Sequence, residues 1–117
     1  MKIYEYLTLL TFDFEESLEY SKNYKQKINI FYSFKSILWQ GPKLVKVIEK
    51  KLKRKNLNFI AEANLNIGLA LSLIDLDFKY LAISKKMDDN LILKINSIAK
   101  KKKTKILISE NFTITNN

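Results

Sequence analysis

The chain has 117 residues with a net charge of +9, is 47% hydrophobic, and contains two Gly, one Pro and neither Cys nor His. Its length and apolar content suit one domain, residues 1–117, with a single real core. Without Cys or His there is no Ser-His-Asp or Cys-His nucleophile, no usual zinc, haem or iron–sulfur site and no disulfide framework, and two glycines cannot build a Walker loop or a G-x-G-x-x-G turn. The expectation is therefore no catalytic set, no cofactor and no metal.

In chain order, Met1–Tyr4 reads as a loose end and Tyr6–Phe12 as a first strand, with a helix running through Ile3–Leu10 as the alternative. Asp13 followed three residues later by Glu16 is a capping-box variant, and Phe14, Leu18 and Ser21 share one face of a helix ending near Tyr24. Lys27–Ser33 is the second strand. Pro42, after Gln40-Gly41, fits the first position of a second helix whose apolar arc is Leu44, Val45, Val47, Ile48 and Leu52, with Asn56 as a stop. Asn58–Ala63 is the third strand, and Asn64 or Asn66 caps a third helix, Ile67–Leu76. Lys79–Ser84 is the fourth strand. Asp88 caps a fourth helix with Leu91, Ile92, Ile95, Ile98 and Ala99 on one stripe and the Lys100–Lys103 run at its C-terminal end, where cations favour the dipole. Lys105–Ser109 is the fifth strand, and Asn111–Asn117 reads as a second loose end.

The strand interiors are continuous rather than alternating, as in Ile28-Asn29-Ile30-Phe31-Tyr32, which suits strands covered on both faces. The order βαβαβαβαβ with short connections predicts an α/β fold: a small doubly wound, mainly parallel five-stranded sheet with helices on both faces. Receiver-like, flavodoxin-like and anti-sigma-antagonist-like shapes are the nearest of this size.

The stretch Phe59–Lys79, with Glu62 at an acidic turn position, Gly68-Leu69-Ala70-Leu71 and a preceding aromatic patch Ile37-Leu38-Trp39, resembles a segment of short uncharacterised bacterial α/β proteins. Against their pattern, Ala63 stands where they carry Cys or Gly, Asn64 where they carry Asp, and Asp77 where they carry Gly. The resemblance covers about half the chain and implies a shared fold, with no function attached.

Ligands of open α/β sheets bind beyond the carboxyl ends of the strands. Of the residues there, Asp13, Glu62, Asn64, Ser84 and Lys85 form a candidate ligand site: carboxylates plus Lys could hold a metal-bound phosphoryl group. Ser33, Lys35, Ser36, Lys86, Ser109 and Glu110 sit at the same level. The competing reading is that these are helix caps and solvated loop residues, with Asp13 already occupied as a cap.

A second candidate is the basic arc Lys43, Lys46, Lys50, Lys53 and Arg54, opposite the Leu44/Ile48/Leu52 stripe. Such a face could rest on phosphates. With one Arg and no interleaved aromatics, nucleic-acid binding there would be weak, non-specific and salt-sensitive. Lys-rich composition also follows from AT-rich codon usage, which makes a solvated helix face the plainer account.

The third candidate lies on the third helix, where Ile67, Ala70, Leu71 and Ile74 make one stripe and Leu69, Leu73 and Leu76 a second. A helix apolar on two sides is covered on both. The first stripe is expected on the sheet, and Leu69, Leu73 and Leu76 either in the chain's own core or at an interface. Trp39, before Gly41-Pro42, is either core or an exposed partner anchor.

The leading functional expectation is a non-catalytic regulatory or scaffolding module acting through protein contacts, with another chain or a second copy as partner. The rivals are a small phosphate-ester or nucleotide-binding protein and a weak nucleic-acid binder. No signal-peptide pattern and no run of eighteen apolar residues is found, so a cytoplasmic, membrane-free setting is expected.

Overall fold

A computed structural model describes residues 2–53 and 56–115. The expected five strands are present within a residue or two: β1 (Leu7–Thr11), β2 (Ile28–Tyr32), β3 (Leu57–Asn64), β4 (Tyr80–Ile83) and β5 (Lys105–Ile108). A sixth, β6 (Ile114–Thr115), lies in the segment read as a loose end and pairs parallel with β1. The sheet is wholly parallel, in the order β5-β4-β3-β2-β1-β6.

Five helices connect the strands: α1 (Phe14–Asn23), α2 (Phe34–Gln40), α3 (Pro42–Lys51), α4 (Ile67–Asp75) and α5 (Asp89–Lys102). The local start signals operate as the residue types dictate. Asp13 accepts from the Glu16 amide at 2.8 Å, Asn66 from that of Leu69, and Asp88 from those of Asn90 and Leu91. Pro42 opens α3, which runs to Lys51 with Leu52 as its C-cap, short of the expected stop at Asn56. Asn56 instead donates to the Tyr24 and Ser21 carbonyls, tying the turn before β3 to the end of α1. With few glycines available, Asn64, Asp77 and Lys103 take up left-handed backbone at φ 56, 61 and 63°.

The expectation of helices on both faces is corrected. Strands β1 to β5 follow one another across the sheet without reversal, so right-handed crossovers all return on the same side. One large core accordingly unites residues of all five helices with Leu9, Ile28, Ile30, Tyr32, Phe59, Ala61, Leu81 and Ile83 from one face of the sheet. Residues of opposite parity, Phe31, Ile60, Ala82 and Leu107, form a second core with Ile3 and Phe112, to which no α-helix contributes. The segments read as loose ends therefore cover the second face. A 3-10 turn, Lys2–Glu5, buries Ile3, and a 3-10 turn, Ser109–Asn111, leads to buried Phe112, which meets the rings of Tyr4 and Phe31 at 4.6 and 5.6 Å.

The sheet is also curled. In a flat sheet, β5 and β6 would stand about 24 Å apart. The short link from Ile108 to Ile114 reaches at most about 20 Å fully extended, and its 3-10 turn shortens it. The two edges must bend toward each other, with the helices outside and Phe112 and Ile3 inside, as in an arc of a βα barrel. Across the inner face at one level, Asn58 donates to Asn29 Oδ1 at 3.0 Å. Asn29 in turn donates to Thr8 Oγ1 at 3.0 Å and to the Ile3 carbonyl at 2.8 Å, and all three side chains are buried.

Candidate functional site

The strand-end residues converge only in part: Asn64, Ser84 and Lys85 meet beside Glu110, while Asp13 stands apart. Asp13 lies at the end of β1, two strands from Glu62, and its carboxylate caps α1. Glu62 accepts from the Phe34 amide at 2.8 Å, supporting the start of α2, where Ser33 makes no side-chain cap. Ser84 donates from its hydroxyl to one oxygen of Glu110 at 2.6 Å, and the Lys85 amide donates to the other at 2.9 Å. The Lys85 side chain remains exposed. Asn64, at a register slip between β3 and β4, contributes its carbonyl to the Ser84 amide.

Glu110 thus does work that the five-residue set assigned elsewhere, and its place just beyond the fifth strand was the available signal. Electrostatics separates the two glutamates. Burial pushes Glu62 above the usual carboxylate range against the Phe34 hydrogen bond, with repulsion from Glu110 adding to it. The Ser84 and Lys85 hydrogen bonds hold Glu110 below that range. These acids brace loops, and among the described residues no group of three His, Cys, Asp or Glu side chains could hold a metal ion.

The basic arc is also broken. Lys43, Lys50 and Lys53 are exposed, but Lys46 turns inward to pair with Glu49, donates to the Asp77 carbonyl at 2.8 Å and lies 5.0 Å from the Phe78 ring centre. Arg54 lies outside the described residues.

On α4 the buried arc is Leu69, Ala70, Leu73 and Ile74, which straddles the two expected stripes. Leu73 is 0% exposed and Leu69 is buried, so neither is free for a partner. Leu76 is half-buried, while Leu71, expected on the sheet, is 39% exposed. The reason lies in the neighbours. Helices of a one-sided layer pack against the sheet and against each other, and α4 touches both α3 and α5.

The most exposed large hydrophobic side chain among the described residues is Trp39, at 90%. From the sequence, Trp39 and Gln40, with Ile37 and Leu38 beside them, read as a loop-to-helix corner before Gly41-Pro42, and α2 was missed because it is only seven residues long. Within it Ile37 turns inward and is fully buried. At 3.6 residues per turn, Leu38 and Trp39 then rotate away from the core.

The corner beyond is pinned from below. Tyr32 donates its hydroxyl to Gln40 Oε1 at 2.7 Å, Gln40 Nε2 donates to the Phe12 carbonyl at 3.3 Å, and the Gly41 amide closes α2 on the Ile37 carbonyl at 2.8 Å. Gly41 adopts φ 91°, a region L side chains rarely enter, and this lets α2 break directly into α3. Phe12, Leu38, Leu44 and Val47 are also exposed at this end of the molecule.

Beside the corner, an open groove of about 450 Å3 runs between α1 and α3. Phe14, Leu44, Val47 and Ile48 line it, with Asp13 and Glu15 on one edge and Lys51 on the other, its Nζ 5.7 Å from the Phe14 ring centre. A similar groove of about 460 Å3 passes Leu71, Ile98 and Lys102 between α4 and α5. No helix among the described residues is long and apolar enough to cross a membrane. Comparison with family models, curated proteins and solved structures finds no match to this chain.

Proposed function

We propose that the protein is a non-catalytic docking module that grips another protein chain in the cytoplasm through the surface built by Trp39, Leu38, Phe12, Leu44 and Val47. The observation that carries this reading is Trp39, 90% exposed on a braced corner. A large rigid aromatic left in water is costly to keep there, and exposed aromatics beside a groove are the usual anchors of protein interfaces. A braced corner also loses little conformational entropy on binding, so more of the anchor's burial energy appears as affinity. The strand-end carboxylates already accept from backbone amides and Ser84, which weighs against the rival phosphate-ester reading.

The test is a photo-crosslinking residue placed at Trp39 in living cells, with the same residue at Leu93, which is 67% exposed on α5, as the control. Position 39 should give a discrete protein adduct and position 93 should not. A position 39 that gives no protein adduct sinks the proposal.

A further inference from the structure

We infer that the chain gripped by this surface is a second copy of the same protein, with Trp39 of each copy seated in the α1–α3 groove of the other. This rests on the docking reading above and names its partner. The first support is that projection and recess lie side by side. Trp39 projects one residue before Gln40, and Gln40 itself lines the groove. A projection adjacent to an apolar recess satisfies a two-fold axis, because each copy then fills the other's recess and the assembly closes as a dimer rather than growing into a filament.

The second support is charge. The projecting corner is flanked by exposed Lys35 and Lys43, whereas the groove carries exposed Asp13 and Glu15 on its α1 edge, with Lys51 held over the Phe14 ring on the α3 edge. Docking corner into groove brings the lysines of each copy toward the acids of the other, and opposite charges meet at the rim of an apolar contact. An anionic lipid surface would match the lysines but would meet Asp13 and Glu15 with like charge, so the mixed rim favours the second copy. The net charge of +9 opposes association over long range, and this repulsion is screened at physiological salt, where the Debye length is about 8 Å.

Trp39 is the chain's one tryptophan, so its emission reports the site directly. The experiment is sedimentation equilibrium and Trp emission across a concentration series in 0.15 M salt. The expected result is a monomer–dimer equilibrium in which emission shifts to the blue as dimer forms. Trp39→Ala should weaken association about thirtyfold or more while leaving the thermal melt of the dilute monomer unchanged. Glu15→Lys and Lys43→Glu should each weaken it, and the double exchange should recover it.

A chain that stays monomeric with unshifted emission overturns the inference, as does a dimer indifferent to Trp39→Ala. So does a monomer whose emission shifts only on vesicles of three parts phosphatidylcholine to one part phosphatidylserine. Crosslinking at position 39 separates the two proposals. An adduct with a different protein overturns the second copy and keeps the docking reading, whereas no protein adduct removes both.

Discussion

The two faces of the sheet solve the same problem with different materials. The outer face is sealed by five helices and is mainly aliphatic and aromatic, with Tyr32, Phe78, Leu73 and Ile37 fully buried and one buried hydroxyl pair, Ser17 to Thr11, under α1. Among the described residues the inner face has no α-helix, and its cover comes from the 3-10 turns of the two terminal segments. At the end where Ile3 lies over it, the inner face carries the Thr8–Asn29–Asn58 row in place of aliphatic side chains. An apolar layer is non-directional and tolerates sliding, whereas a hydrogen-bonded row tolerates little, because a misplaced partner leaves a buried polar group unsatisfied. The helical face supplies bulk stability. The polar row specifies where the short N-terminal segment sits, since it is Asn29 that holds the Ile3 carbonyl.

That contrast is sharpest at Leu73. Leu73→Ala removes a fully buried side chain from the outer core and should cost about 2–5 kcal/mol, read by denaturant unfolding. A loss below about 1 kcal/mol would mean that α4 is not a core helix.

On the inner face, Asn29→Ala removes the acceptor of the Asn58 amide and the donor to the Ile3 carbonyl, while Thr8 keeps its bond to the Tyr6 carbonyl, and should cost about 1–3 kcal/mol. It should also raise hydrogen exchange in the N-terminal segment selectively. Uniform acceleration throughout the sheet would instead assign the polar row a general stabilising role.

Glu62, at the rim of the same face, gives an effect of opposite sign. Its folded-state pKa is raised by burial, so between the ordinary glutamate value and the raised one the folded state holds more protons than the unfolded state. Stability from this group is therefore full below the ordinary value and is lost as pH rises through the folded one. Glu62→Gln keeps an acceptor for the Phe34 amide without the charge, so it should melt higher than the parent at pH 7 and converge with it near pH 4. A parent whose melt does not fall relative to the variant across that range would contradict the assignment.

The smallest effect is expected at Leu71, the partly exposed neighbour of the buried arc. Leu71→Ala should change stability by no more than about 0.5 kcal/mol. A cost approaching that of Leu73→Ala would restore the expected arrangement of α4.

What could be read from the chain was whatever is decided within a few residues. Asp13, Asn66 and Asp88 cap helices because their short acceptors reach amides two or three positions ahead, and Pro42 opens α3 because its missing N–H costs nothing there. Continuous β-branched runs became buried parallel strands for the same local reason. Strand order, and with it the placement of every helix on one side, needed the fold, since handedness fixes a crossover's side only once the neighbouring strand is known.

The rotation of α4 was equally illegible. A helix with two apolar stripes states that it is covered twice but not by what, and α3, α5 and the sheet together chose Leu69 and Leu73. The terminal segments offered no periodicity to read, yet Ile3 and Phe112 are buried because the curled sheet leaves an inner face that no α-helix among the described residues covers. Trp39 is the converse case. The sequence left it as core or exposed anchor, and only the tertiary structure, by spending Ile37 on the core and bracing Gln40 from Tyr32 below, turned it into solvent.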